Sequence, residues 1–440
     1  MSKKVFLKGT LILACTGLVS RIAGFFYRIF LSHAIGAEGL GLYQLILPLQ
    51  GLMAALSYTG IQSALSRLIA SRLALQEKKE AYFSLVTGIF AAVFFSAVTG
   101  FLLFRHADFF ASTILKAPGT SDLLRLTAAS IPLCAIHSCI DSYYYARKKA
   151  SVPAAVQLSE QTVRIGATYI LYLIFLSEGR PVTAMIAAGG SLAGEAAASL
   201  ISLLMVSFHF GNHPVKEKTS VKIFPLIKDL FTLSFPISLN RILLTLLGSI
   251  EAVLIPQMLI RCGMTSSEAL KIYGIFTGMA LPLLLFPSTI TTSAAVMLMP
   301  SVARMDALGD QKQIRYVTDQ TFFLCMFLGF LCGSGFFLFG PFLGTLLFHS
   351  KTAGTYIRYL SFICPFLYTN TMLASILQGL GRPGRCLIHS AAGILIRIFS
   401  VVFMIPAIGI RGYFYGIFLG ELLLSLLHVK ALKFPYRQAG

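Results

Sequence analysis

Long apolar stretches separated by short polar ones dominate this chain. A membrane-crossing helix needs about 20 mostly apolar residues. That criterion selects twelve segments: 6–33, 40–63, 83–104, 123–146, 152–176, 182–210, 230–256, 272–300, 320–348, 355–379, 386–408 and 412–432. The connecting loops are too short to hold a nucleotide-binding or catalytic domain. The first stretch, from Phe6, is too long for a signal-peptide core and reads as an uncleaved first span. The pattern predicts an all-α polytopic membrane protein with 12 transmembrane helices.

Composition sharpens this reading. Of 440 residues, 56% are apolar and 12% are charged, where a soluble chain carries about 25% charged residues. A soluble enzyme, a nucleic-acid-binding module and a disordered scaffold are excluded. The formal charge of +19 comes from 36 Lys and Arg against 17 Asp and Glu. It belongs to topology: 22 basic residues fall on the side that holds both termini, nine on the other side, and five inside spans. Cytoplasmic loops collect Lys and Arg, so both termini are expected in the cytoplasm. Short runs such as Arg147-Lys148-Lys149 serve as orientation signals that also touch anionic lipid heads. Trp is absent, leaving Tyr and Phe for any aromatic belt. The eight cysteines have no CxxC spacing and read as small apolar residues. No metal site and no cofactor are expected.

The chain repeats itself. Pro132, Lys149 and Arg164 map onto Pro365, Arg382 and Arg397 at an offset of 233. Arg21 maps onto Arg241 at 220, and Gly194, Glu195, Ser199 and Leu200 map onto Gly420, Glu421, Ser425 and Leu426 at 226. Repeats of six spans, an even number, enter from the same side. They are expected as two six-helix lobes related by a pseudo-twofold axis along the membrane normal. The boundaries are an N-lobe at 1–212, a cytoplasmic linker at 213–229 and a C-lobe at 230–440. Prolines interrupt several spans, and the eighth, with Pro282 and Pro287, is the expected bent one.

Five arginines lie within spans. At mid-membrane each costs about 2.5–3.5 kcal/mol, which calls for partners or a watery cavity. Arg21, Gly24 and Arg28 share one face of the first span, with Gly24 leaving room for a ligand. Arg21 and Arg28 have no acid in their span, and Glu251 lies about 80° around the helix from Arg241. Arg21, Arg28, Arg241 and Gly24 are therefore the candidate site for an anionic head group. An Arg fork suits phosphate because it donates two parallel hydrogen bonds and stays charged. Arg164 and Arg397 are either a second part of this cavity or structural ion pairs with Glu160, Glu195 and Glu421. Glu160 sits one turn before Arg164, within reach along the helix. Asp141 and Glu251 are candidates for coupling to a monovalent cation or proton. No P-loop, zincin, serine-hydrolase or DDxxD motif is present, and the eight histidines have no ligand-like spacing.

The opening FLKGTLILACTGLVSRIAGFFYRIFLSHAIGAEGLGLYQLILPLQG resembles the multidrug/oligosaccharidyl-lipid/polysaccharide (MOP) exporter superfamily. The likeness is greatest to its polysaccharide-transporter branch and the stage V sporulation protein B group. IYGIFTGMALPLLLFPSTITTSAAVMLMPSVARMDALGD and LQGLGRPG are similar to later signatures of that group. Related lipid II flippases have a Ser-Arg-x-x-Gly pattern followed by a second arginine; Arg21 and Arg28 match, one residue wider. The resemblance implies two lobes, alternating access and a multi-pass protein of the bacterial cytoplasmic membrane. The implied function is non-enzymatic flipping of a polyprenyl-pyrophosphate-linked saccharide, a peptidoglycan precursor or another polysaccharide unit. Partners would be that substrate and membrane lipids, with no nucleic acid. The alternatives are an organic-cation antiporter of the same superfamily and a membrane polysaccharide polymerase or ligase.

Overall fold

The computed structural model describes residues 3–212 and 223–433. Lys216, Lys218 and Lys222 of the expected linker lie outside them, as do residues 434–440. Among the described residues there is no strand. The first half forms α1 (Lys3–Ala34), α2 (Gly36–Ser57), α3 (Thr59–Ala74), α4 (Lys78–Arg105), the single turn α5 (Ala107–Phe109), α6 (Ser121–Ala146), α7 (Ser151–Ser177) and α8 (Met185–Asn212). The second half forms α9 (Ile223–Arg261), α10 (Ser266–Gly274), α11 (Leu281–Leu285), α12 (Ser288–Ala307), α13 (Gln311–Phe348) and α14 (Lys351–Leu360). It closes with α15 (Cys364–Gly379), α16 (Pro383–Phe403), α17 (Ile405–Ile408) and α18 (Ile410–Lys433).

Each of the twelve apolar segments lies on helix. Ten stretches among the described residues are long and apolar enough to cross a membrane. The other two expected spans fall on α1 and α7, 32 and 27 residues long, which carry Arg21 and Arg28, and Glu160 and Arg164. The chain is an all-α polytopic membrane protein. Phenylalanines 90, 94 and 101 of α4 and 323, 327 and 330 of α13 are exposed. Such rows suit contact with hydrocarbon, the solvent of a membrane helix.

Two compact units emerge, one of residues 1–27 and 42–249, the other of 28–41 and 250–440. This division differs from the expected lobe boundary at 213–229. The contacts explain it. The early part of α9 is tied to the first unit: Ser249 donates to the carbonyl of Pro48 at 2.9 Å, and Asp229 pairs with Arg72 at 3.0 Å. Residues 36–41 join the second unit, where Ser267 donates to Glu38 at 2.6 Å.

Within the first unit, α3, α4, α6 and α8 enclose Leu65, Ile69, Leu85, Ala92, Cys139 and Tyr143. Within the second, α12, α13, α15 and α18 enclose Val302, Ile314, Leu373 and Ile376. The helix partnerships correspond: α4–α6, α6–α8 and α7–α8 in one, α13–α15, α15–α18 and α16–α18 in the other. Even the proline contact recurs. A proline lacks the N–H that would bond the carbonyl one turn earlier. In α6, Pro132 leaves the Ala128 carbonyl facing Gly100 of α4, where a β-carbon would come to 2.8 Å. At the offset of 233, Gly333 of α13 faces the Ser361 carbonyl one turn before Pro365, where a β-carbon would come to 2.9 Å. The eighth span is broken twice, by a π-helical turn at Ile275–Ala280 and again before Ser288, where Pro287 caps α12.

Candidate functional site

All five acids considered at the sequence level, with two of the arginines, form one polar nest in the first unit and part of another in the second. The first nest begins on α7, where Glu160 and Arg164 stand one turn apart and are hydrogen-bonded. Arg164 also donates to the Gln161 side chain at 3.3 Å and lies 3.6 Å from Glu195 of α8. The other oxygen of Glu195 meets His137 Nε2 of α6 at 2.9 Å. An ionised carboxylate only accepts, which puts the imidazole proton on Nε2. His137 Nδ1 then faces Asp141 Oδ2 across one helical turn, at 3.9 Å. The nest is also fastened to α1: Tyr27 and Thr168 hydroxyls meet at 3.0 Å, and Thr168 donates to the Arg164 carbonyl at 2.8 Å.

The second nest centres on Arg397 of α16. Its Nε and Nη2 donate in parallel to the two oxygens of Glu251, at 2.7 and 3.0 Å. Nη1 reaches Glu421 of α18 at 3.4 Å. Tyr413 donates to Glu251 at 2.7 Å. Asn370 of α15 donates to Glu421 at 2.8 Å, and Ser425 donates to the Asn370 amide oxygen at 2.6 Å. Glu251 is 6% exposed. Taking such a charge out of water costs several kcal/mol, offset only by a close opposite charge and further hydrogen bonds.

The nests are repeat mates with two differences. The offset that maps Arg164 onto Arg397 maps Glu160 onto Gly393, so the second acid arrives from α9 as Glu251. It also maps His137 onto Asn370, and each donates to the equivalent glutamate. Glycine permits the close approach that both nests need. A β-carbon at Gly194 would stand 3.1 Å from Arg164 Cβ, and one at Gly420 would stand 3.0 Å from Arg397 Cγ.

The remaining sequence candidates lie elsewhere. Arg21 of α1 and Arg241 of α9 are exposed, both in the first unit, while Arg28 is half-buried in the second. Gly24 lies beside the first nest, with Gln161 Nε2 at 3.5 Å from where a β-carbon would sit, an ordinary contact. The two coupling candidates are nest members: Asp141 belongs to the first, Glu251 to the second. His137, Asn370 and Tyr413 escaped the sequence reading, and Ser425 entered it only as an anchor of the repeat. For His137 and Asn370 the signal was present, since the repeat offset pairs them.

Comparison with known proteins agrees with this architecture. Residues 6–306 match the family described as Polysaccharide biosynthesis protein. Stage V sporulation protein B of Bacillus subtilis (strain 168) is 30% identical, over 97% of this chain and 83% of that one. Among solved structures, lipid II flippase MurJ in an inward closed conformation aligns with a TM-score of 0.73 at 14% identity, covering 96% of this chain and 88% of that one. An inward-facing multidrug resistance MATE family transporter of the MOP superfamily aligns with a TM-score of 0.69 at 17% identity, covering 96% and 99%. At those identities the two structures speak for the fold alone. With a family match over most of its length and a relative at 30% identity, the chain belongs to the polysaccharide biosynthesis protein family.

Proposed function

We propose that this protein moves a polyprenyl-pyrophosphate-linked saccharide, a cell-wall or other polysaccharide unit, from the inner to the outer leaflet of a bacterial cytoplasmic membrane by alternating access. The observation that carries the reading is the exposure of Arg21 of α1 and Arg241 of α9 on helix faces of the first unit. Left in hydrocarbon, each would cost about 2.5–3.5 kcal/mol; facing water and an anion relieves that cost. Arg28, two turns on from Arg21, extends the basic face of α1.

The cargo needs such help. Pyrophosphate and sugar hydroxyls lose several kcal/mol each when buried without partners, and guanidinium groups replace the lost water around phosphate. Lipid II flippase MurJ of Bacillus subtilis (strain 168), 22% identical in sequence over 90% of this chain and 77% of that one, supports a cargo of this chemical class. Outward movement of an anion from an inside-negative cell is downhill by about 2.3 kcal/mol per charge per 100 mV. Neither a monovalent cation nor a proton is required to drive it. An organic cation would be repelled by the same arginines.

The test is flipping of lipid-linked saccharide in reconstituted vesicles. Arg21→Ala and Arg28→Ala are each expected to slow flipping at least about tenfold, the loss of one charge-assisted contact of roughly 1.5–3 kcal/mol. Arg241→Ala should do the same. Full-rate flipping in all three variants would refute the reading.

A further inference from the structure

The two repeats differ along one face of α6. Cys134, His137 and Asp141 fall at i, i+3 and i+7, a single helical face. Their mates at the offset of 233 are Leu367, Asn370 and Ala374 of α15. The second repeat thus builds the same helix partnerships with a leucine, an amide and an alanine. What the first repeat adds is a thiol, an imidazole and a carboxylate, and folding does not need them.

The thiol and the imidazole meet Glu195 of α8. Donor atoms of Cys134, His137 and Glu195 all lie within 4.8 Å of one another. Asp141 stands 3.9 Å from His137 Nδ1. His137 Nδ1 and Asp141 Oδ1 are buried and have no hydrogen-bond partner. Two such atoms in a membrane protein's interior need an explanation. A metal-bound histidine commonly gives its other N–H to a carboxylate; an ion on Nε2 would move the imidazole proton to Nδ1, where Asp141 faces it.

From this geometry we infer that Cys134, His137 and Glu195 form a binding site for a divalent cation of the zinc class, with Asp141 behind the imidazole at Nδ1. The donor types select the ion: thiolate and imidazole suit zinc, whereas sodium, magnesium and calcium favour all-oxygen sets. Charge agrees: the first nest gathers the carboxylates of Asp141, Glu160 and Glu195 around the one guanidinium of Arg164, and a dication adds positive charge there. The site is independent of cargo and of transport direction.

The experiment uses the full chain in lipid nanodiscs, stripped with a chelator under reducing conditions and then equilibrated with Zn2+ or Co2+. One Zn2+ per chain should survive gel filtration. The Co2+ form should show a sulfur-to-metal charge-transfer band. Cys134→Leu and His137→Asn, the residues used by the other repeat, should keep the elution profile and lower Zn2+ occupancy at least tenfold. Cys325→Ser, in the second unit, should change nothing. Absence of bound Zn2+ and of the cobalt band, as for a site that takes only a proton, would overturn the inference. So would equal Zn2+ occupancy in the Cys134→Leu and His137→Asn proteins.

Discussion

A guanidinium inside a bilayer persists only when its charge is met, and Arg397 is met by the forked contact to Glu251. Both side chains are largely buried, at 22% and 7% exposure. Removing one partner of such a pair costs about 3–5 kcal/mol, because the other is left uncompensated. Glu251→Gln is therefore expected to lower the thermal unfolding midpoint clearly, with Arg397→Met in a double-mutant cycle recovering part of the loss. The exposed Arg315–Asp319 pair, at 4.0 Å, is the contrast. Arg315→Ala should cost no more than about 1 kcal/mol in the same melting assay. The nests were unevenly legible in the sequence. Glu160 and Arg164 are readable from their spacing, since groups four apart on a helix are neighbours. The place of Glu251 was not, because its partner is 146 residues away. Its distance from Arg241 along one helix says nothing about a contact made through tertiary packing. His137 was passed over because a lone histidine has no spacing to read; only the comparison with Asn370 gives it meaning.

At the scale of elements, the nests depend on how closely α8 approaches α7, and α18 approaches α16. Gly194 and Gly420 set both distances, with β-carbon positions 2.9 Å from the Glu160 carbonyl and 3.0 Å from the Gly393 carbonyl. Overpacking of this kind costs about 1–3 kcal/mol. Gly194→Ala and Gly420→Ala should each lower thermal stability by that amount, whereas Gly166→Ala, with open space at its β-carbon, should not. Apolar length alone located every spanning element. It could not show that helix continues past residue 63, the expected end of the second span, to Ala74 as α3, because Arg67 and Arg72 end the apolar run. Backbone hydrogen bonds carry the helix onward where side chains no longer favour lipid. The double break in the eighth span was half legible: Pro282 and Pro287 announce a bend, but the π-helical turn before them has no residue signature.

For the whole molecule, the distribution of lysine and arginine sets the expected orientation. A green fluorescent protein fused after Gly440 should fluoresce, and alkaline phosphatase inserted next to Lys116 should be active. The reverse pattern would invert the proposed topology and with it the direction of flipping.

The different origin of the acid in each nest bears on how the chain is made. Arg164 leaves the ribosome with Glu160 already in its own helix, so α7 can enter the bilayer nearly neutral at that point. Arg397 has no such companion on α16; Glu251 sits on α9, synthesised well before it. During biogenesis the late helix has a docked carboxylate waiting for it, and its entry through the translocon becomes conditional on the earlier one having settled. Quality control would then see a Glu251 variant as a stalled insertion as much as a weakened fold, and a pulse-chase experiment would find a larger share of it degraded during synthesis than of the unaltered chain.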